Sequence, residues 1–265
     1  MSTPTQADQL AGRYIYDSHG DAWNKLRFAD PSKPSDPKPA ETLYNFIDGD
    51  AEANNQTGTV RDDVYRGGFK DDTFMGRAGN DHMFGQADQD LLFGEDGADR
   101  GYGGTGNDGL TGGAGDDLLY GDAGIDLLTG NDGNDTLWGG DDSDAFDGGP
   151  DRDTLHGEAG GDTLLAGDGD DVLVGGDGPD GYTGGPGNDT LESGKDQDQD
   201  LFFFQPGDGH DRIRGFEPDI DILSVLGKTP DQLRYTGDGQ GNTLVTWSDP
   251  NTDVLLLGIA PGDIT

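Results

Sequence analysis

The chain has 265 residues, with 54 Asp or Glu against 16 Lys or Arg, for a formal charge of −38. Only 30% are apolar and 49 are glycine, a composition that reads as disorder, because charge repulsion and chain entropy outweigh burial. The charge disfavours nucleic acid as a partner, the lack of cysteine removes disulfides and zinc–thiolate sites, and no apolar run approaches the ~20 residues of a membrane helix. Something beyond apolar burial must fold this chain. A bound cation is the candidate.

Residues 1–57 form a flanking segment. Met1 to Gly12 lacks a basic and then apolar leader, so no N-terminal signal peptide is expected. Tyr14-Ile15-Tyr16 with Trp23, Leu26 and Phe28, and later Leu43-Tyr44-Asn45-Phe46-Ile47, are short apolar groups that suit strands capping or flanking the rest of the chain. Between them, residues 29–39 are Pro-rich and read as a linker.

From Gly58 to Glu192 the chain repeats every nine residues, fifteen times, without insertion or deletion. The sixth position is always Asp, from Asp63 to Asp189. The first is Gly except at Ala166, and the eighth is a large apolar residue except at Gly101. Glycine permits positive φ where a loop must turn tightly. The residues after each Asp are expected to extend, with the eighth side chain inward by two-residue alternation. The fourth position departs from Gly at Arg61, Lys70, Asp88, Asp142 and Asp151. Asp tolerates a left-handed backbone, so the last three still suit a loop. Arg61 and Lys70 are expected to place cations where an ion should bind, making the first two units metal-poor.

This pattern resembles the Gly-Gly-x-Gly-x-Asp-x-apolar-x repeat of the repeats-in-toxin (RTX) family of haemolysin-type calcium-binding proteins. The resemblance implies an all-β parallel β-roll, a calcium-stacked solenoid over residues 58–194, with a C-terminal β-rich cap over 195–265. It implies Ca2+ ions, on the order of ten, between equivalent loops two units apart. The implied ligands are Asp72, Asp81, Asp90, Asp99, Asp108, Asp117, Asp126, Asp135, Asp144, Asp153, Asp162, Asp171, Asp180 and Asp189. Loop backbone would complete the shells at Gly94, Gly97, Gly103, Gly104, Gly106, Gly112, Gly113, Gly115, Gly121, Gly124, Gly130 and Gly133. It would do the same at Gly157, Gly160, Gly167, Gly169, Gly175, Gly176, Gly178, Gly184, Gly185 and Gly187. The most complete pairs join loops starting at 94/112, 103/121, 112/130, 157/175 and 166/184.

After Glu192 the nine-residue phase slips. Asp200-Leu201-Phe202-Phe203-Phe204, Gly207-Asp208-Gly209-His210-Asp211 and Asp221-Ile222-Leu223 come next. Phe202, Phe204, Phe216 and Leu223 are expected to cover the open end of the roll. Thr229-Pro230-Asp231 reads as a helix start, and residues 242–247 and 253–258 as strands. By resemblance this segment carries an uncleaved signal for type I secretion, which makes the secretion machinery a partner and the location extracellular.

No catalytic pattern stands out. His-Glu-x-x-His and Gly-x-Ser-x-Gly are missing, and the four histidines are scattered. The paired carboxylates recur with the repeat, so metal ligation explains them better than glycosidase chemistry. Position nine faces outward, and alternate units bring Phe84, Tyr102, Tyr120, Trp138 and His156 into one column. That column reads as stacked packing, as a seam under residues 1–57, or as a platform for a glycan or a cell-surface partner. The expected function is a secreted, non-enzymatic calcium-binding β-roll with a structural or interaction role, without membrane insertion. The alternative is an accessory or polysaccharide-binding module of a larger secreted exoenzyme.

Overall fold

A computed structural model describes residues 45–49, 51–194, 197–249 and 251–264. The expectations for Tyr14 to Phe28 and for the Pro-rich stretch lie outside the described residues. The described chain is a parallel β-solenoid of about ten coils, with two sheets facing each other across a narrow core. Consecutive units alternate between the sheets, so strands two units apart pair in parallel, as Leu118–Ala123 does with Thr136–Asp141. Among the described residues no helix is long and apolar enough to cross a membrane.

The strands reach past the residues that follow each Asp and into the next unit. Most run for six, taking in the first three positions of the next unit, as in Thr73–Ala78 and Leu127–Asp132. The second position of most units is therefore inside a strand yet has positive φ. Arg77, Gln86, Glu95, Asp122, Asn131 and Glu158 hold it at 72–85°, a region L-residues enter at a cost. The chain turns sharply again at the fourth position, where Lys70, Asp88, Asp142 and Asp151 are left-handed while Arg61 is not.

Every eighth-position side chain points inward, and the core is a single file: Tyr65, Phe74, Met83, Leu92, then Leu110 onward to Leu191, all buried. Gly101 breaks the file without leaving a gap. A Cβ there would meet Leu119 Cδ2 at 3.0 Å and Leu110 Cδ2 at 3.2 Å, so neighbouring leucines already fill the space.

Both ends extend the solenoid. Asn45–Asp48 pairs with Asp63–Gly68, and Asn55–Thr57 with Thr73–Ala78, each adding a parallel strand before the first full repeat. At the other end Leu201–Phe204, His210–Arg214 and Ile222–Val225 continue the two sheets. Arg234–Gly237, Thr243–Thr246 and Asp253–Leu256 then form an antiparallel meander docked in parallel on His210–Arg214. Phe202, Phe204, Phe216, Val225, Val245, Trp247, Val254 and Leu256 are buried there, and Leu223 packs against them. The helix expected at Thr229 is one 3-10 turn, Pro230–Gln232, because the strand starting at Arg234 takes the chain over.

Candidate metal centre

The fifteen sixth-position aspartates are at most 3% exposed, although each ends in a carboxylate. They stand in two columns, one at each edge where the chain crosses between sheets. Within a column, each Asp backbone N–H donates to Oδ1 of the Asp one coil later: Asp99 to Asp117 at 2.7 Å, and Asp117 to Asp135 at 2.8 Å. Oδ1 is thus used by the fold itself.

The second oxygen is not. Oδ2 of Asp72, Asp81, Asp90, Asp99, Asp108, Asp117, Asp126, Asp135, Asp144, Asp153, Asp162, Asp171 and Asp189 is buried without a hydrogen-bond partner. An unsatisfied buried anion is among the most costly arrangements in a protein. Burial first, with neighbouring aspartates adding, pushes Asp117 and Asp189 up to about 8 and Asp81, Asp90, Asp126, Asp144 and Asp153 to about 7. The hydrogen bond to Oδ1 opposes that rise without cancelling it.

The glycine pattern has the same cause. A Cβ added at Gly94 would sit less than 3 Å from Asp99 Oδ2 and 2.6 Å from the carbonyl oxygen of Gly112; at Gly157 it would meet Asp162 Oδ2 and the Gly175 carbonyl, the latter at 2.5 Å. Carboxylate and carbonyl oxygens therefore converge beside the first-position Cα. Among the described residues no group of three or more His, Asp or Glu is placed to hold a metal by side chains alone. The remaining ligands fall to loop carbonyls. Hard anionic and carbonyl oxygens in a glycine-lined loop are the donor set that suits Ca2+, and the residues fit that ion.

The loops differ. Asp63 Oδ2 accepts from Thr59 N–H at 2.5 Å, so the first unit closes on itself. Lys70 does not enter its loop: its ammonium pairs with Glu52 at 2.8 Å on the surface, because the left-handed turn directs the side chain outward. In the loop starting at Gly175, the Tyr182 hydroxyl donates to Asp180 Oδ2 at 3.4 Å and to the Glu192 carbonyl at 3.2 Å. One of the pairs that looks most complete in the sequence therefore carries a phenol where the others carry an open oxygen.

Three aspartates outside the regular repeat extend the columns. Asp180 N–H donates to Asp200 Oδ1, Asp189 N–H to Asp211 Oδ1, both at 2.9 Å, and Asp200 N–H to Asp221 Oδ1 at 3.1 Å, across 20, 22 and 21 residues instead of 18. Each is followed by an apolar residue two places on, a signal that survives the slip in phase.

The aromatic column is present. Phe84–Tyr102 and Tyr102–Tyr120 have centroids 5.1 Å apart and planes within 4°, Tyr120–Trp138 lies at 6.2 Å, and Trp138–His156 at 3.7 Å. The geometry differs from a platform in one respect. The rings face one another along the solenoid, so their faces are occupied within the stack, whereas a sugar needs a ring face turned outward.

A β-solenoid that buries an aspartate in every repeat loop, thirteen of the fifteen with one oxygen left open, has the architecture of a calcium-binding roll. The model of the RTX calcium-binding nonapeptide repeat (4 copies) matches residues 57–92, 93–128, 120–155, 147–182, 156–191 and 183–199. These matches span more than half of the chain, and the protein belongs to that family. No curated protein matches the chain. Among solved structures, the extracellular lipase LipA from Serratia marcescens is similar at 16% identity and a TM-score of 0.28, over 83% of this chain and 41% of the lipase.

Proposed function

We propose that this protein is secreted through a type I route as an unfolded chain, folds on extracellular Ca2+, and acts outside the cell as a structural or interaction protein, not as an enzyme. The observation that carries the reading is the file of buried Asp Oδ2 atoms without partners. At neutral pH those charges oppose the folded state until a divalent cation joins them. Asp72 through Asp189 would hold the ions, about ten in all, with loop carbonyls completing each shell. Extracellular calcium modules bind at ~10⁻⁴–10⁻³ M, so cytosolic calcium would leave the chain unfolded and threadable. Residues 195–265 would serve as both cap and export signal. Mg2+ would not substitute, because it demands a smaller octahedral shell.

The test is limited proteolysis at submicromolar and at millimolar calcium, paired with export through a type I transporter. The reading expects rapid digestion at low calcium, protection at high calcium or on export, and retention in the cell of a chain lacking residues 195–265. Protection at both calcium levels, or export without the C-terminal segment, would contradict it.

A further inference from the structure

The two aspartate columns end differently. In the column that starts at Asp72, the last carboxylate, Asp221, is closed by its own loop, its Oδ2 accepting from Glu217 N–H at 2.7 Å, much as Asp63 is closed by Thr59 at the start of the second column. In the other, Asp211 is 2% exposed and its Oδ2 has no partner, like those of the central loops. Its neighbour below, Asp189, is in the same condition.

The loop that carries Asp211 copies a repeat loop despite its altered spacing. Gly187 N–H donates to the Asp208 carbonyl at 2.6 Å, the contact that Gly97 makes with Ala114 and Gly106 with Ala123 in the regular array. Gly209 has φ +109°, and a Cβ on it would strike the Gly187 carbonyl, as one on Gly124 would strike that of Gly106. Asp208 and Asp253 both lie close enough to act electrostatically on Asp211. Asp253 is engaged by His210 at 2.9 Å, and Asp208 Oδ2 by Gln205 N–H at 2.5 Å. Asp211 Oδ2 is thus a buried carboxylate oxygen of this loop left open to an ion.

We infer that Asp189 and Asp211 hold a further divalent cation, beyond the nine-residue array, with Pro206-Gly207-Asp208-Gly209-His210-Asp211 serving as a repeat loop. The inference rests on the calcium reading of the central loops. The ion would tie the last regular coil to the strand His210–Arg214, on which the terminal meander is built. Calcium would then join the roll to its cap, and the cap would not merely cover it.

Asp211→Asn tests this, because asparagine keeps the Oδ1 acceptor for Asp189 N–H and removes only the charge. If Asp211 is a ligand, the full-length variant should bind one fewer Ca2+ by native mass spectrometry and need about twofold or more calcium to fold. If the carboxylate is only an acceptor, neutralising a buried anion removes repulsion; an unchanged ion count with an equal or lower calcium midpoint would overturn the inference. Asp117→Asn, run beside it, separates the two levels. Loss of an ion from Asp117→Asn but not from Asp211→Asn sinks the terminal site alone, while no loss from either sinks the calcium reading. Should Asp211→Asn not fold, anomalous diffraction from the native protein in calcium decides. An ion about 2.4 Å from both carboxylates upholds the site; ions on the central loops with none there overturn it.

Discussion

The regular array and the C-terminal segment solve the same problem with different means. In the array each unit contributes one inward apolar side chain and one buried aspartate, and stacking alone gives each coil its neighbours. The C-terminal segment has lost the nine-residue phase but gains bulk. Tyr182 stacks on Phe202 at 4.7 Å, Phe202 meets Phe216 at 5.7 Å, and Val245, Trp247 and Val254 close over them through an antiparallel meander. A solenoid never buries its own last face, so an end with its own core has to do it. The contrast sets an array whose coils meet through buried aspartates with open oxygens against an end that adds a broad apolar core of its own.

The largest effect should come from removing that end. Deleting residues 195–265 exposes the final inward residues Tyr182 and Leu191 and takes away Asp200 and Asp211, so folding at any accessible calcium should be abolished or greatly weakened. Recovery of normal calcium-dependent ellipticity by the truncated chain would show that the array ends itself.

Within the array, position should matter next. Asp117→Ala removes an acceptor for Asp99 N–H and an open Oδ2 in mid-column, and the calcium midpoint should rise severalfold by circular dichroism. Asp63→Ala touches a loop already closed by Thr59 and should barely move it. Equal shifts would mean that the ions do not concentrate in the central loops.

Acid should imitate calcium in part. Burial raises the column aspartates, Asp117 and Asp189 to about 8 and Asp99, Asp108 and Asp135 to about 6, against about 4 in the unfolded chain. A raised folded-state value makes the protonated form the stabilising one. That contribution is complete below about pH 4 and is lost as pH climbs through about 6 to 8. In chelator, lowering the pH from 8 to about 4.5 should therefore increase β structure, and a flat response would contradict the burial of these carboxylates.

The smallest effect belongs to the aromatic column. Trp138→Ala removes two stacking contacts on the outer face and should cost about 1 kcal/mol, seen as a modest rise in the calcium midpoint without loss of bound ions. An ion lost with the ring would tie the column to the metal loops.

Much of this was legible in the residues. Fifteen aspartates in phase set the two columns, and the apolar eighth position set the core, because both repeat with the coil. The end of the columns was not: Asp200, Asp211 and Asp221 arrive 20, 22 and 21 residues after their partners. A solenoid absorbs added residues in a loop as long as the strand and its aspartate return to register, and a fixed nine-residue count cannot see that. The outward place of Lys70 and the phenol of Tyr182 in its loop were equally hidden, since each depends on where a side chain turns and not on its spacing.

The central claim is that calcium, not apolar burial, folds the array. The direct measurement is far-ultraviolet circular dichroism of the full chain at pH 7.5, titrated with CaCl2 from excess chelator. The account predicts a coil-like spectrum in chelator and a steep, cooperative rise of β structure toward millimolar calcium, absent with Mg2+. A fully β-structured protein in excess chelator would contradict it.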